Sequence, residues 1–143
     1  MNTTVVITGG GGVLCSAFAK EMARTGAPVA LLDRNLQAAE HTAEEIAQEG
    51  GTARAYAADV LDRESLEAAH AAVLRDFGKC RVLINGAGGN HPKATTAQET
   101  FPAGTELPAE LPSFFDLQPE GFDFVFRLNL MGTLLPSQVF ARD

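Results

Sequence analysis

The chain has 143 residues, which fits one domain, and its 45% hydrophobic and 20% charged residues are ordinary for a globular protein. Its net charge of −7 argues against nucleic acid or an anionic membrane as the main partner, because neither attracts an acidic surface. No apolar run approaches the roughly 20 residues that span a bilayer, and no export signal is visible, so a cytoplasmic protein is expected.

The first predicted element is a strand over residues 3–8, which is rich in β-branched side chains that suit a parallel sheet buried on both faces. Four glycines follow it, and Val13 and Leu14 then open a helical pattern. Glycine allows a tight turn and brings backbone N–H groups close to a bound group, and the positive end of the next helix favours a phosphate. This order predicts a nucleotide pyrophosphate site, with a flexible loop of small residues as the simpler alternative.

Predicted helices and strands alternate along the next stretch of the chain. Further strands are predicted over residues 28–33, 52–58 and 81–85, and the second and third helices begin at the N-caps Asn35 and Asp62. The alternation predicts right-handed crossovers and a Rossmann-type, doubly wound parallel sheet of the α/β class. The apolar helix faces expected from the spacing are Leu14, Phe18 and Met22, then Leu36, Ala39, Ala43 and Ile46, then Leu66, Ala69, Val73 and Phe77.

Residues 86–117 carry four prolines and no sustained periodicity, so we expect a long loop that is functional or mobile. A helical pattern returns from Pro119, and Pro136 is expected to bend this helix or to tighten its packing. Residues 1–143 are predicted to form a single dinucleotide-binding domain. The positions expected near one face of the last helix are Phe122, Val125, Phe126, Asn129, Leu130 and Thr133.

A carboxylate ends the second predicted strand. Asp33 follows the glycines by roughly twenty residues, a spacing at which an acidic side chain accepts hydrogen bonds from a ribose diol. Its charge also repels a 2′-phosphate, although Arg34 beside it can partly offset that repulsion. The alternative is an aspartate that only caps the next turn. The pattern therefore predicts preference for NAD over NADP.

Two further motifs make the chain resemble the short-chain dehydrogenase/reductase family, namely Asp59 with Val60, and Asn85-Gly86-Ala87-Gly88. That family has Thr-Gly-x-x-x-Gly-x-Gly after its first strand, an acidic residue after the second in NAD-preferring members, Asp-Val after the third and Asn-Asn-Ala-Gly after the fourth. The resemblance covers the whole chain. The residues it implies at the cofactor are Thr8, Gly9, Gly10, Gly11, Gly12, Val13, Leu14, Asp33, Arg34, Asp59, Val60, Asn85, Ala87 and Gly88.

The chain departs from the family pattern at three positions. Val13 and Cys15 stand where the motif has its second and third glycines. A positive φ would be energetically costly at these residues, and their side chains leave less room for the pyrophosphate. We expect the turn to shift locally, so that Gly12 takes the place of a missing glycine of the motif. Gly86 replaces the second asparagine of the fourth-strand motif, which removes a side-chain hydrogen bond.

Asn129 falls where the family has its active-site helix asparagine, which helps to hold a water in a proton relay. The alternative is a polar residue that kinks or caps a buried helix. The family also needs a tyrosine, a lysine four residues later and a serine, but Tyr56 is the only tyrosine and Val60 lies four positions after it. We therefore expect the cofactor-binding front half of a dehydrogenase, truncated after about four strands and part of the fifth major helix.

The segments Gly-Gly-Gly-Gly-Val-Leu-Cys and Asn-Gly-Ala-Gly-Gly-Asn-His-Pro-Lys-Ala-Thr-Thr resemble a subgroup often labelled D-mannonate oxidoreductase, or fructuronate reductase. This implies a small-molecule substrate of the sugar-acid class. Lys93 would pair with its carboxylate, and His91 or Asn90 would bond its hydroxyls; the alternative is that His91 and Lys93 are simply solvated loop residues.

Other interpretations remain open at this point. The chain could be a non-catalytic nucleotide-binding or interaction module, whose exposed apolar edge would favour homo-oligomers. Another doubly wound protein, such as a methyltransferase, would not require Asn129. We expect His41 and His70 at the surface and no metal site, because no two histidines have metal-ligand spacing. Cys15 and Cys80 are predicted to be reduced structural thiols.

Overall fold

A computed structural model describes residues 3–100 and 112–143, and in it four strands form one parallel sheet. The strands lie in the order β3-β2-β1-β4, so the chain crosses over at β1. This confirms the predicted Rossmann-type α/β fold. Among the described residues, no helix is long and apolar enough to cross a membrane. The strands are β1 (Thr4–Thr8), β2 (Val29–Asp33), β3 (Ala53–Ala57) and β4 (Cys80–Asn85).

Helices cover both faces of the sheet. The helices α1 (Val13–Arg24) and α2 (Leu36–Gln48) pack on one face, while α3 (Arg63–Phe77) packs on the other. Successive strand residues point to opposite faces, so Val5 and Ile7 belong to the first core and Val6 to the second. The central strands β1 and β2 are therefore buried on both faces, as their runs of apolar residues predict, whereas the edge strands β3 and β4 are partly exposed.

The predicted helix caps are confirmed. The Asn35 side chain accepts a hydrogen bond from the Ala38 amide, and the Asp62 side chain accepts one from the Glu64 amide. A glycine with φ above +80° follows each of the first three helices, at Gly26, Gly50 and Gly78.

The buried faces of α2 and α3 largely follow the prediction, but that of α1 does not. The core side of α1 consists of the small residues Cys15, Ala19 and Ala23, whereas 70% of Leu14 and 45% of Phe18 are exposed. The four-residue spacing was right and its phase was one residue off. Small side chains let the helix approach the sheet closely, so the larger apolar residues face outward.

The last helical stretch consists of α4 (Pro119–Phe126), a π-helical turn (Arg127–Met131) and α5 (Gly132–Phe140). The π-turn disrupts the 3.6-residue period of the helical pattern predicted from Pro119. Phe126 is 69% exposed and Leu130 64% exposed, while Pro136 is buried inside α5, against α3. Short 3₁₀ turns cover Pro92–Ala94 and Phe114–Asp116 in the long proline-containing segment, of which residues 101–111 lie outside the described part.

Candidate nucleotide-binding site

A cleft of about 280 Å³ opens at the carboxyl ends of the strands. In open α/β sheets this edge, at the crossover point, is where ligands bind. Of the residues predicted at the cofactor, the cleft is lined by Gly9, Gly12, Asp33, Arg34, Asp59, Val60, Ala87 and Gly88, whereas Thr8, Gly10, Gly11, Val13, Leu14 and Asn85 do not line it. Its remaining lining is Leu32, Ala58, Leu61, Gly86, Phe124 and Leu128.

The glycine turn is wedged between its neighbours. Gly9 has φ of +68°, and a Cβ there would stand 3.0 Å from the Ala87 backbone. A Cβ on Gly11 would stand 2.7 Å from the Ala38 side chain in α2. The Gly10 amide donates to the Leu32 carbonyl at 3.1 Å. The turn therefore admits no larger residues at Gly9 or Gly11 without displacing backbone.

Positive φ is confined to Gly9 within this motif, which corrects our expectation for the positions that lack glycine. Val13 and Cys15 have ordinary helical conformations, since no residue other than glycine has positive φ in the described ranges. Gly12 does not take over either, because its φ is −76° and its conformation is extended. Neither substitution strains the backbone. Val13 is 93% exposed, so its side chain does not fill the turn.

The N-terminus of α1 is left open to an anion. Gly12 is the N-cap and supplies no side-chain acceptor, whereas Asn35 and Asp62 cap the next two helices. The first-turn N–H groups of α1 thus lack the side-chain partner that α2 and α3 have. Together with the helix dipole, they form a suitable site for a phosphate.

Asp33 lies directly beside this turn. Its Oδ2 accepts a hydrogen bond from the Gly11 amide at 3.0 Å, and its Oδ1 accepts one from the Asn35 amide at 2.8 Å. The capping role considered from the sequence is therefore real, and the same carboxylate also borders the cleft. Each oxygen has a second lone pair, so the group can accept further hydrogen bonds from a diol.

Thr8 ties β1 to the segment after β4. Its fully buried Oγ1 accepts hydrogen bonds from the Gly86 amide at 3.1 Å and the Ala87 amide at 3.2 Å. The Asn85 side chain turns towards α5 and donates to the Ser137 hydroxyl at 3.1 Å. Its buried Oδ1 has no hydrogen-bond partner among the described residues.

The segment after β3 is fixed in a similar way. Asp59 Oδ1 accepts a hydrogen bond from the Leu61 amide at 2.9 Å, and the Asp59 amide donates to the Ser65 hydroxyl at 3.0 Å. Val60 is 7% exposed and packs beside Gly132 at the start of α5. These bonds hold an acidic and an apolar residue at the same edge of the cleft.

Asn129 lies in the π-helical turn and holds the loop that follows β4. Its Oδ1 accepts from the Gly89 amide at 3.2 Å, and its Nδ2 donates to the Gly89 carbonyl at 2.9 Å and to the Val125 carbonyl at 2.8 Å. The side chain is exposed, so it is not a polar residue enclosed in a buried helix. π-Turns are often found at functional sites.

The substrate candidates stand beside α4. His91 Nδ1 accepts a hydrogen bond from the Lys93 amide at 3.2 Å, and the His91 ring lies 5.1 Å from the ring of Phe124, which lines the cleft. The Lys93 carbonyl accepts a hydrogen bond from the Gln118 amide at 2.9 Å. Lys93 and Asn90 are exposed, and Lys93 forms no ion pair with any residue of the described ranges.

Six lining residues were not predicted at the cofactor, and one histidine is less exposed than predicted. Four of them directly adjoin a predicted residue, namely Leu32, Ala58, Leu61 and Gly86. The only signal for Phe124 and Leu128 was their place within two turns before Asn129. His41 is exposed as expected, but His70 is only 21% exposed and bonds Asp143 at 2.9 Å. It was misjudged because it packs edge-on against Phe140, far along the chain. Tyr56 donates to Asp76 at 3.0 Å and does not line the cleft.

Both cysteines are free thiols. Cys15 is buried, Cys80 is partly buried, and neither forms a disulfide. In residues 3–100 and 112–143 no group of three or more His, Cys, Asp or Glu side chains could hold a metal ion.

Comparison with known proteins identifies related sequences over the full chain. A family model described as short chain dehydrogenase matches residues 3–143. An uncharacterized oxidoreductase of Haemophilus influenzae is 51% identical over 142 residues, covering 99% of this chain and 49% of that protein. The uncharacterized oxidoreductase UxuB of Bacillus subtilis is 52% identical over 140 residues, covering 98% of this chain and 49% of its own length. The chain thus spans about half the length of the curated relatives it matches.

Solved structures show the same similarity. A candidate D-mannonate oxidoreductase from Haemophilus influenzae with bound NAD superposes with a TM-score of 0.92 and 51% identity, covering 99% of this chain and 50% of that one. An NAD⁺-bound xylitol dehydrogenase superposes with a TM-score of 0.79 and 28% identity, covering 98% of this chain and 47% of that one.

Proposed function

Since this chain belongs to the short-chain dehydrogenase family, we propose that it is the NAD-binding portion of an oxidoreductase acting on a secondary alcohol or ketone. The observation that carries the proposal is the bond between Asp33 and the Gly11 amide, which joins a diol-binding carboxylate to a phosphate-binding turn at one cleft. We assign residues 1–143 to a single dinucleotide-binding domain of a cytoplasmic protein.

The residues of the cleft suit the parts of a dinucleotide. The uncapped N–H groups at the start of α1 bind the pyrophosphate, and a Cβ on Gly12 would meet only the Gly9 carbonyl, so the approach to them is open. Asp33 accepts hydrogen bonds from the ribose hydroxyls. Val60 offers an apolar contact and Asp59 an acceptor on the adenine side. Gly10, Gly11, Val13 and Leu14 shape the turn, and Thr8, Asn85, Ala87 and Gly88 hold the opposite wall.

The charge at the ribose end favours NAD over NADP. A 2′-phosphate would be placed beside the Asp33 carboxylate, and like charges at such a distance repel. Arg34 lines the same cleft and forms no ion pair within the described part of the chain, so NADP is disfavoured rather than excluded.

Bound NAD supplies the hydride acceptor, and its reduced form supplies the hydride donor. The residues of this chain bind and orient. Asn129 fixes the Gly89 backbone beside the cleft, and its Oδ1 keeps a second lone pair with which it can hold a water. We assign it the proton-relay role that the family resemblance implies.

We propose a sugar acid, such as mannonate or fructuronate, as the substrate. This is supported by 51% identity to the candidate D-mannonate oxidoreductase and by Lys93, whose ammonium group is exposed and has no carboxylate partner in the described ranges. An ammonium group near a cleft suits a substrate carboxylate. We also propose a homo-oligomer, because Phe126 and Leu130 expose apolar surface on the last helical stretch.

Calorimetric titration of the purified protein with NADH and NADPH tests the cofactor assignment. We expect saturable binding of NADH and weaker binding of NADPH, and an absence of NADH binding would contradict the proposal. Because this chain lacks the serine and the tyrosine-lysine pair that the family's chemistry needs, we expect it to bind NADH without oxidising D-mannonate. Turnover of D-mannonate with NAD⁺ by the whole oxidoreductase, of which this chain is proposed to be the NAD-binding portion, tests the substrate class. No turnover of any sugar acid there would favour the alternative, a non-catalytic nucleotide-binding module, for which the placement of Tyr56 outside the cleft is the supporting observation.

A further inference from the structure

The side chain of Cys15 occupies the space into which a side chain at position 86, which lines the cleft, would extend. Cys15 lies in the first turn of α1 and is 5% exposed, and Gly86 follows β4. A Cβ added to Gly86 would stand 2.1 Å from the Cys15 sulfur and 2.9 Å from the Thr8 carbonyl oxygen. Non-bonded atoms cannot approach to 2.1 Å, so residue 86 can carry no side chain while the sulfur is in place.

The requirement at Gly86 is one of space and not of backbone conformation. Its φ lies outside the left-handed region, where alanine would be strained, because the glycines with positive φ are Gly9, Gly26, Gly50 and Gly78. Helix packing next to a phosphate-binding turn ordinarily needs a glycine on the helix. Here the helix carries a sulfur and the loop carries the glycine.

The contact joins the two walls of the cleft. On one side, α1 presents the uncapped N–H groups of its first turn. On the other side, Gly86 and Ala87 donate their amides to Thr8 Oγ1 at 3.1 and 3.2 Å and border the cleft themselves. Cys15 is part of the buried core beneath α1, so its volume sets how closely the loop after β4 can approach the helix.

We propose that Cys15 is a positioning residue for the nucleotide, which it influences through Gly86. The sulfur supports the loop after β4 at the separation from α1 that the cofactor needs. A larger residue at position 86 is then accepted only with a smaller one at position 15. The identity of the nucleotide rests on the proposed function above.

A double-mutant cycle with Cys15→Ala and Gly86→Ala tests the pair, with the Kd for NADH and the melting temperature as readouts. We expect Gly86→Ala to weaken NADH binding at least tenfold and Cys15→Ala to weaken it two- to threefold. The double variant should bind NADH better than Gly86→Ala alone, because the two Cβ atoms would be an ordinary 3.7 Å apart. Recovery should be incomplete, since the Thr8 carbonyl remains 2.9 Å away.

A matched variant controls for the loss of a thiol. Cys80→Ala removes the other cysteine, which lies at the start of β4 and does not line the cleft. It should not change NADH affinity more than twofold.

The outcomes separate this proposal from the one it rests on. An unmodified protein that fails to bind NADH contradicts the proposed function. An unmodified protein that binds NADH, with Gly86→Ala binding equally well or with no gain on adding Cys15→Ala, overturns the pairing. If Gly86→Ala does not fold, the double variant must regain a cooperative melting transition and NADH binding, and its failure to do so also overturns the pairing.

Discussion

The Asp33 carboxylate and the Gly11 amide are joined by a hydrogen bond of 3.0 Å, across the gap between the ends of β2 and β1. The other carboxylate oxygen of Asp33 accepts a hydrogen bond of 2.8 Å from the Asn35 amide, at the start of α2. One side chain therefore fixes the glycine turn, the next helix and the ribose side of the cleft. Substitutions at Asp33 should affect cofactor preference and the geometry of the turn together.

Asp33→Ala and Asp33→Asn separate these two effects. The alanine variant loses both backbone bonds and the charge, and we expect NADH affinity to fall by about 1.5–3 kcal/mol, roughly ten- to a hundredfold in Kd. The asparagine variant keeps one acceptor but loses the charge that repels a 2′-phosphate. It should bind NADPH more tightly, relative to NADH, than the unmodified protein does. Parallel NADH and NADPH titrations measure both, and an unchanged NADH/NADPH ratio in both variants would contradict the role of Asp33.

Thr8→Val should destabilise the fold although valine has nearly the same shape. It would leave the Gly86 and Ala87 amides without the hydroxyl that now accepts from both. We expect a loss of about 1–3 kcal/mol in the free energy of unfolding, measured by denaturant titration. Thr8→Ser keeps the hydroxyl and should retain most of the stability. Equal stability of the valine and serine variants would show that these hydrogen bonds contribute little.

The features predicted correctly from the sequence are those that depend on residues close together in the chain. The strand β1, the caps Asn35 and Asp62, and the position of Asp33 after the glycines each depend on residues close in sequence, and the fold class follows from their order. Helix phase is less local. The larger apolar residues of α1 indicated the face of Leu14, Phe18 and Met22, but packing on the sheet selects the small residues Cys15, Ala19 and Ala23 one position later.

Other features depend on contacts between residues far apart in the chain. The π-helical turn (Arg127–Met131) changes which residues of the last helical stretch share a face, and the intrinsic propensities of these residues do not predict it. The departures at Cys15 and Gly86 looked like two separate losses in the sequence. In the folded chain the two positions adjoin, and the Cys15 sulfur occupies the space that a side chain at position 86 would need. The part played by Phe124 in the cleft likewise follows from tertiary packing.

Asn129→Ala should loosen the loop after β4. The variant loses both hydrogen bonds to Gly89, worth about 2 kcal/mol together, so exchange of the Gly89 amide with solvent deuterium should become roughly thirtyfold faster. Thr133→Val provides the control, because its hydroxyl bonds the Asn129 carbonyl in the same helical stretch and does not touch the loop. Equal exchange in the two variants would mean that another contact holds the loop.

Cys80 should react slowly with alkylating reagents at neutral pH. Burial raises the pKa of its thiol from 9.0 to about 11, and the nearby Asp143 carboxylate adds to the rise. Only the thiolate reacts, and below the pKa its fraction falls tenfold per pH unit, so at pH 8 the rate should be about a hundredfold below that of an unperturbed thiol. Because the pKa is raised, the rate should keep increasing as the pH rises towards 11.

Iodoacetamide labelling between pH 7 and 10, with the Cys80 peptide quantified by mass spectrometry, gives this profile. Asp143→Asn removes the negative charge but keeps an acceptor for the Cys80 amide, and it should move the profile to lower pH. A Cys80 rate equal to that of a free cysteine peptide at pH 8 would contradict the burial of this thiol.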